Sequence, residues 1–176
     1  MVRQQPEDIL EFSAVYFANL ANVSRNADDG PPPTTSQLAA AYAELASTEA
    51  IAMDDLAEAV AAHGVSPLTL EKVGRLTDPA EMIDPKELLV LLLTTIAEHF
   101  QGMLQSLFEV FAAADGRMPV VLFMTLLGYL AARDAEISGG FVDELQQDLN
   151  ARGATELTFR ELIANPLVAQ LCDKLG

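Results

Sequence analysis

Few side chains in this sequence are of a type and spacing that could do chemistry. The two histidines, His63 and His99, fall in different predicted helices, and the single cysteine, Cys172, lies in a predicted C-terminal helix. The sequence has no HExxH or CxxC zinc motif, no glycine-rich nucleotide motif and no GxSxG turn. We therefore predict no enzyme, no catalytic residue, no cofactor and no metal, and we expect each histidine to be solvated or to cap a helix.

Four short segments of one design recur along the chain: AIAMDDL, EMIDPKEL, RMPVVLF and ELTFREL. Each has a central apolar residue, then a polar or proline step, then a helix start. The central residues are spaced by 32, 35 and 39 positions, and they are Ile51, Ile83, Met118 and Leu157. This spacing suits a pair of helices around a short loop. The layout resembles four EF-hands, as in calmodulin, and the resemblance implies loops that pair through a short strand.

A calcium-binding EF-hand loop needs oxygen ligands at positions 1, 3 and 5, glycine at position 6 and glutamate at position 12. Each loop keeps only part of this set, and the acids that remain are Glu44, Asp55, Asp78, Glu87, Asp115 and Glu161. In the last loop, Arg152 puts a positive charge at position 3, where the cation would lie. We therefore expect four degenerate loops without a metal site, in helices that pack through their apolar faces. A calmodulin-like, calcium-responsive regulator stays open as an alternative.

Composition and charge limit the classes of partner. Hydrophobic residues make up 51% of the 176 residues and charged residues 20%, so the chain can bury a core. The formal net charge of −16 opposes binding to nucleic acid and to an anionic membrane surface. The most apolar run, LLVLLLTTI at 88–96, is far shorter than the roughly 20 residues of a spanning helix and predicts a buried core helix. The lone cysteine and the lack of a secretory leader favour the cytoplasm.

The hydrophobic periodicity predicts an all-α fold in three parts. Residues 1–26 form a helical appendage, residues 27–36 a proline-rich linker, and residues 37–176 a helical unit. Helices are predicted over 37–46, 53–64, a short stretch from Ser66, two helices within 84–114 that break near Gly102, 122–134, 138–153 and 159–175. An apolar group within the predicted helix 122–134 belongs either to the core, which we favour, or to a partner site: Leu126, Leu127, Tyr129 and Leu130.

The opening stretch, RQQPEDILEFSAVYFANL at 3–20, joins a proline typical of a helix start to a wide apolar band. The apolar residues recur at steps of three, four and seven, and so line one broad face. An isolated helix of this length is marginal in water, and exposed aromatic rings favour burial against another surface. The helix is predicted either to dock on its own helical unit or to pair with another chain. The predicted dimerisation and docking residues are Pro6, Ile9, Leu10, Phe12, Tyr16, Phe17 and Leu20.

This stretch closely resembles the second half of the dimerisation–docking domain of type II regulatory subunits of protein kinase A. The shared pattern is R-Q-Q-P-x-D-[IL]-x-E-F-[AS]-x-x-Y-F-x-x-L, and the chain matches it from Arg3 to Leu20. The rest of the chain has no room for cyclic-nucleotide domains and carries no kinase-inhibitor motif. It resembles instead the ropporin family, which includes ropporin-like radial spoke subunits of motile cilia, in the stretches 74–84, 129–145 and 156–168.

The resemblance implies a non-catalytic scaffold subunit of the ciliary or flagellar axoneme, in the radial spoke stalk. Two docking helix pairs would form a four-helix homodimer or heterodimer, whose groove receives an amphipathic helix of an A-kinase-anchoring-type spoke scaffold protein. Competition for the anchoring helices of protein kinase A is a further alternative. In the family, a first helix precedes the RQQP turn and supplies much of that groove. Only Met1 and Val2 precede the turn here, so either the chain is shortened or this member lacks that helix.

Overall fold

The computed structural model describes residues 31–75 and 82–175. These residues form nine α-helices and one two-stranded antiparallel sheet, so the prediction of an all-α fold is confirmed. In chain order the elements are α1 Thr35–Leu45, α2 Met53–Ala62, α3 Pro67–Gly74, α4 Pro85–Thr94, α5 Phe100–Phe111, β1 Arg117–Pro119, α6 Val120–Ala131, α7 Gly139–Ala151, β2 Glu156–Thr158, α8 Phe159–Ala164 and α9 Pro166–Leu175. None of the helices in these two ranges has the length and hydropathy needed to cross a membrane.

The centres of the four repeated segments lie side by side in two pairs. Ile51 and Ile83 form an antiparallel bridge, in which the backbone N–H of each donates to the carbonyl of the other at 3.0 and 2.9 Å. Met118 in β1 lies opposite Leu157 in β2. The α1–α2 loop is thereby joined to the segment before α4, and the α5–α6 loop to the α7–α8 loop. The loop pairing expected from the repeat is present at both places.

Two helices begin with the same capping box. At α1, the Thr34 hydroxyl accepts from the Gln37 N–H at 3.2 Å, and the Gln37 side chain accepts from the Thr34 N–H at 3.0 Å. Thr158 and Glu161 repeat this arrangement at α8. Because a capping box satisfies two free donors at a helix start, it fixes where the helix begins. The start of α1 at Thr35 therefore falls inside the segment 27–36 that the sequence analysis assigned to the linker.

The break in the long apolar region lies before the predicted position. α4 ends at Thr94 and α5 begins at Phe100, whereas Gly102 is inside α5. His99 sets this boundary, because its Nδ1 accepts a hydrogen bond from the Gly102 N–H at 2.8 Å. The prediction of a break near Gly102 was wrong because an N-cap, rather than the conformational freedom of glycine, starts the second helix. The capping role expected for a histidine is confirmed at His99.

The C-terminal stretch 159–175 forms two helices rather than the single one predicted. Asn165 separates them in an extended conformation, at φ −69° and ψ 128°. Pro166 explains the break, because a proline disfavours helical geometry in the residue before it and suits the first turn of a new helix. The Asn165 side chain accepts from the Leu167 N–H at 3.0 Å and so caps the second helix.

α4 lies at the centre of the core. Every residue from Leu88 to Thr94 is buried, and α4 contacts α1, α3, α5 and α6. The prediction of a buried core helix is confirmed for this run. Leu126, Leu127 and Leu130 of α6 are also buried, whereas Tyr129 is half-buried. The first and second loop pairs share one core, because α1 packs on α5 and the Tyr42 ring meets the Phe111 ring edge-on at 4.6 Å.

Candidate functional site

The residues predicted to dimerise and dock lie outside the residues that the structure describes. They are Pro6, Ile9, Leu10, Phe12, Tyr16, Phe17 and Leu20, and they precede Pro31, the first described residue. The described residues do include most of the acids that the EF-hand register placed at ligand positions. The hydrogen bonds and ion pairs of these acids show which of them are already engaged within the protein.

Glu161 caps a helix. One of its carboxylate oxygens accepts from the backbone N–H of Thr158 at 2.8 Å and from the Thr158 hydroxyl at 3.1 Å. These hydrogen bonds, the backbone one first, lower the pKa of Glu161. Position 12 of an EF-hand loop supplies the bidentate calcium ligand. In the fourth loop this residue, Glu161, instead caps the start of α8.

The second loop is tied to α6 by two polar contacts. The Tyr129 hydroxyl donates to Asp84 Oδ2 at 2.5 Å, and Arg133 Nη2 donates to Glu87 Oε1 at 3.1 Å. Burial, together with the hydrogen bond to Asp84, raises the pKa of Tyr129 above its usual value. Asp84 also caps α4, since its other oxygen accepts from the Lys86 N–H at 2.9 Å. Both acids thus hold the loop in place within the protein.

One acid of the first loop and the acid of the third loop also have partners within the protein, whereas Asp55 of the first loop is exposed. Glu44 pairs with His63 Nε2 at 2.8 Å. In the third loop, Asp115 accepts from the Arg117 N–H at 3.0 Å, next to Gly116 at φ +79°. Across residues 31–75 and 82–175, no three His, Cys, Asp or Glu side chains are grouped as a metal site would need.

The fourth loop turns directly after α7. Arg152, at the position expected to face a cation, forms an ion pair with Asp148 one turn earlier, at 2.9 Å. Gly153, at φ +66°, follows α7, and the Gly153 and Ala154 N–H groups donate to Asn150 and Leu149. This is a Schellman motif, which ends a helix and needs no metal.

Cys172 offers no activated nucleophile. Its thiol is half-buried in α9, and burial, followed by the charge of Asp173, raises its pKa. A raised pKa lowers the thiolate fraction at neutral pH, and the thiolate is the reactive form.

An apolar groove of about 490 Å³ runs between α2 and α3. Its floor is made of small or flexible side chains at helical spacing, which are Met53, Ala57 and Ala61 of α2 and Pro67, Leu70 and Gly74 of α3. A side chain on residue 74 would place its Cβ 2.9 Å from Met53 Cε, so the Met53 side chain lies directly over Gly74. Next to this floor the structure has an exposed apolar side chain, Leu68, at 48% exposure.

The rim of this groove is mostly acidic. Asp54 and Glu58 line the α2 side, and Glu71 and Arg75 line the α3 side. Glu71 pairs with Arg75, whereas no Lys, Arg or His in residues 31–75 or 82–175 forms an ion pair with Asp54 or Glu58. An apolar floor with an acidic rim can hold an amphipathic helix of complementary charge.

The sequence analysis did not identify this groove. A signal for it is present, since Met53, Ala57 and Ala61 recur every four residues, and Asp54 and Glu58 stand beside them at the same step. Small residues at that spacing are also common where two helices simply pack, so the pattern alone does not separate a groove from a closed contact.

No protein-family model matches this chain, and no curated protein sequence matches it either.

Proposed function

We propose that this chain is a non-catalytic scaffold subunit of the ciliary or flagellar axoneme, in the radial spoke stalk. Its N-terminal helix pairs with a second docking-domain chain, the same or a related one. The resulting bundle receives an amphipathic helix of an A-kinase-anchoring-type spoke scaffold protein. The observation that carries this proposal is the R-Q-Q-P pattern from Arg3 to Leu20, with its broad apolar face.

The described helical unit is compatible with this role. Its described apolar residues form one core cluster with 37 buried members. The broad apolar face that the sequence predicts for residues 3–20 is the surface that we propose pairs with another chain. The helical unit itself we propose to be four degenerate EF-hand-like motifs, paired through Ile51–Ile83 and Met118–Leu157. Their acids serve as caps and ion pairs, which suits a structural unit.

Light scattering and peptide binding test the docking proposal on the full chain. We expect a dimer, and saturable binding of one labelled amphipathic anchoring helix per two chains, measured by fluorescence anisotropy. Phe12→Asp should give monomers and abolish this binding, because a charge cannot be buried in an apolar helix interface without a partner. Ala18→Asp is the matched control, since the helical spacing predicts Ala18 on the opposite side of the helix.

Three other outcomes are informative. Peptide binding that appears only after a first docking helix is added upstream would mean that the groove needs that helix. A monomeric chain that binds no anchoring peptide in either form would refute the docking proposal. Binding that depends on calcium would point to the calmodulin-like alternative instead.

A further inference from the structure

The groove between α2 and α3 has the surface chemistry of a second helix-binding site. We propose that it receives the apolar face of an amphipathic helix that carries lysine or arginine, supplied by a partner protein. This site lies on the helical unit, and it is separate from the docking helix at 3–20. The floor supplies apolar contact, and the rim supplies the charge that selects the partner.

The shape of the groove favours a helix. Its floor follows the axis of α2 over nine residues, from Met53 to Ala61, and the rise between the two ends is about 12 Å. Alanine and glycine keep this floor low, so that larger side chains from a partner can enter between the two helices. The exposed Leu68 lies on the same side of α3 as Glu71 and Arg75, one and two turns further on, and it extends the apolar contact surface.

The charge of the rim selects the partner. α2 carries Asp54, Asp55 and Glu58 and no lysine or arginine. Asp54 and Glu58 line the groove, and neither forms an ion pair with a Lys, Arg or His of the described residues. Acids in the first turn of a helix interact favourably with its dipole, which accounts for Asp54 but not for Glu58 in the second turn. A partner helix with lysine or arginine would supply counter-charges for Asp54 and Glu58.

The opening segment of the same chain is a competing occupant. The Gln37 side chain donates to the Gly64 carbonyl at 3.1 Å, so the start of α1 lies near the α2–α3 turn at one end of the groove. Residues 6–23, however, contain Glu7, Asp8 and Glu11 and no lysine or arginine. Like charges would therefore meet at the rim. A second copy of the chain, at a net charge of −16, meets the same objection.

Two designed peptides test the proposal on the full chain. Each has about 18 residues, with leucines on one helical face, and lysines on the other face in the first peptide and glutamates in the second. We expect saturable binding of the lysine peptide by anisotropy, and binding of the glutamate peptide at least about tenfold weaker. Raising the salt concentration should weaken the first interaction.

Two matched pairs of variants locate the binding. Glu58→Lys should weaken binding of the lysine peptide by about fivefold or more, whereas Asp55→Lys, on the same helix but outside the groove, should change it less than about twofold. Ala61→Glu should weaken it by on the order of tenfold, and Ala62→Glu, on the exposed side, should leave it unchanged. Circular dichroism shows whether Ala61→Glu still folds. If Ala61→Glu does not fold, the comparison of Glu58→Lys with Asp55→Lys tests the proposal.

Four outcomes would overturn the proposal. Equal effects of Glu58→Lys and Asp55→Lys would mean general attraction to an acidic protein. Binding that appears only after Phe12→Asp would mean that the opening segment occupies the groove. Conversion of dimers to monomers by Ala61→Glu would identify a second copy as the occupant, and a complete lack of binding would leave no site. Phe12→Asp should otherwise leave lysine-peptide binding intact, which distinguishes this site from the docking helix.

Discussion

Several acidic residues in the described part of the chain act as structural ligands of its own backbone and side chains. Asp84 shows this most clearly, since one oxygen caps α4 and the other accepts from the Tyr129 hydroxyl, 45 positions further along the chain. A hydrogen bond to a charged acceptor contributes more than a neutral one. The Tyr129–Asp84 contact therefore stabilises the joint between the second loop and α6.

Tyr129→Phe should lower the free energy of unfolding by about 1–2 kcal/mol, because Asp84 loses a partner. Tyr42→Phe is the control, since among the described residues no hydrogen bond to its hydroxyl occurs and its ring packs on Phe111. Urea denaturation of both variants measures the difference. Equal costs for the two substitutions would contradict the role assigned to the hydroxyl.

The same residue predicts a dependence on alkaline pH. The pKa of Tyr129 is raised in the folded protein, so the folded state keeps this proton where the unfolded state loses it. Its contribution to stability is thus complete below about pH 10, the usual tyrosine value, and is lost as the pH rises above it. The difference in absorbance at 295 nm between wild type and Tyr129→Phe should titrate above pH 10. A midpoint at or below pH 10 would refute this assignment.

The two capping boxes predict different responses to acid. The pKa of Glu161 is lowered by the Thr158 hydrogen bonds, so its contribution is present above about pH 4.3 and is lost as the pH falls through the lower, folded value. Thr158→Ala should cost about 1 kcal/mol at neutral pH, and NMR should show the pKa of Glu161 moving up towards its usual value.

Thr34→Ala is the matched control for this prediction, because Gln37 does not titrate. Its cost should be similar at neutral pH and should persist in acid, whereas the cost of Thr158→Ala should shrink. Parallel behaviour of the two variants with pH would contradict the role of the Glu161 charge.

At the scale of elements, the short bridges between loops organise the helices in pairs. β1 and β2 are only three residues each, so their few hydrogen bonds contribute little without the packing of the central residues. Met118 and Leu157 lie opposite each other at 0% and 4% exposure. The bridge thus acts as an anchor that buries one apolar residue from each loop.

Met118→Ala should lower the free energy of unfolding by about 2–5 kcal/mol, because it leaves a cavity at this anchor. Val121→Ala, three residues later and 79% exposed, should change it by about 0.5 kcal/mol or less. Chemical denaturation measures both. A cost for Met118→Ala as small as that of Val121→Ala would mean that the loop pair is not an anchor.

At the scale of the whole molecule, the described helices are organised around α4. The acids of the fourth, second and first loops are engaged by Thr158, Arg133 and His63. Any cation would have to displace these contacts before it gained ligands. The described unit is therefore expected to behave as a fixed module.

Calcium should leave the melting temperature unchanged relative to chelator, and calorimetric titration at micromolar free calcium should give no stoichiometric heat. The physical reason is that Glu161, Glu87, Glu44 and Asp115 are already engaged in caps, ion pairs or turns, and each loop lacks part of the ligand set. Calmodulin is the positive control for the titration. Stoichiometric binding, or a melting temperature that rises by several degrees with calcium, would contradict this prediction and favour the calcium-responsive alternative.

The sequence by itself determined the features that depend on neighbours along the chain. The apolar period of three and four residues predicted helices, the run at 88–96 predicted the buried centre, and the spacing of Ile51, Ile83, Met118 and Leu157 predicted the paired loops. Arg152 and the incomplete ligand sets predict degenerate EF-hand-like loops, and this stays a prediction. Each of these conclusions depends on local periodicity or on residue type at a fixed offset.

Only the tertiary structure decided the features that depend on residues far apart in the chain. The sequence does not show that Arg133 pairs with Glu87, 46 positions away, or that α2 and α3 leave a groove open between them. The break at His99 was also missed, because a histidine cap competes with the signal of the nearby glycine. In each case the outcome depends on which side chains the folded core brings together, and local patterns carry no distance information of that kind.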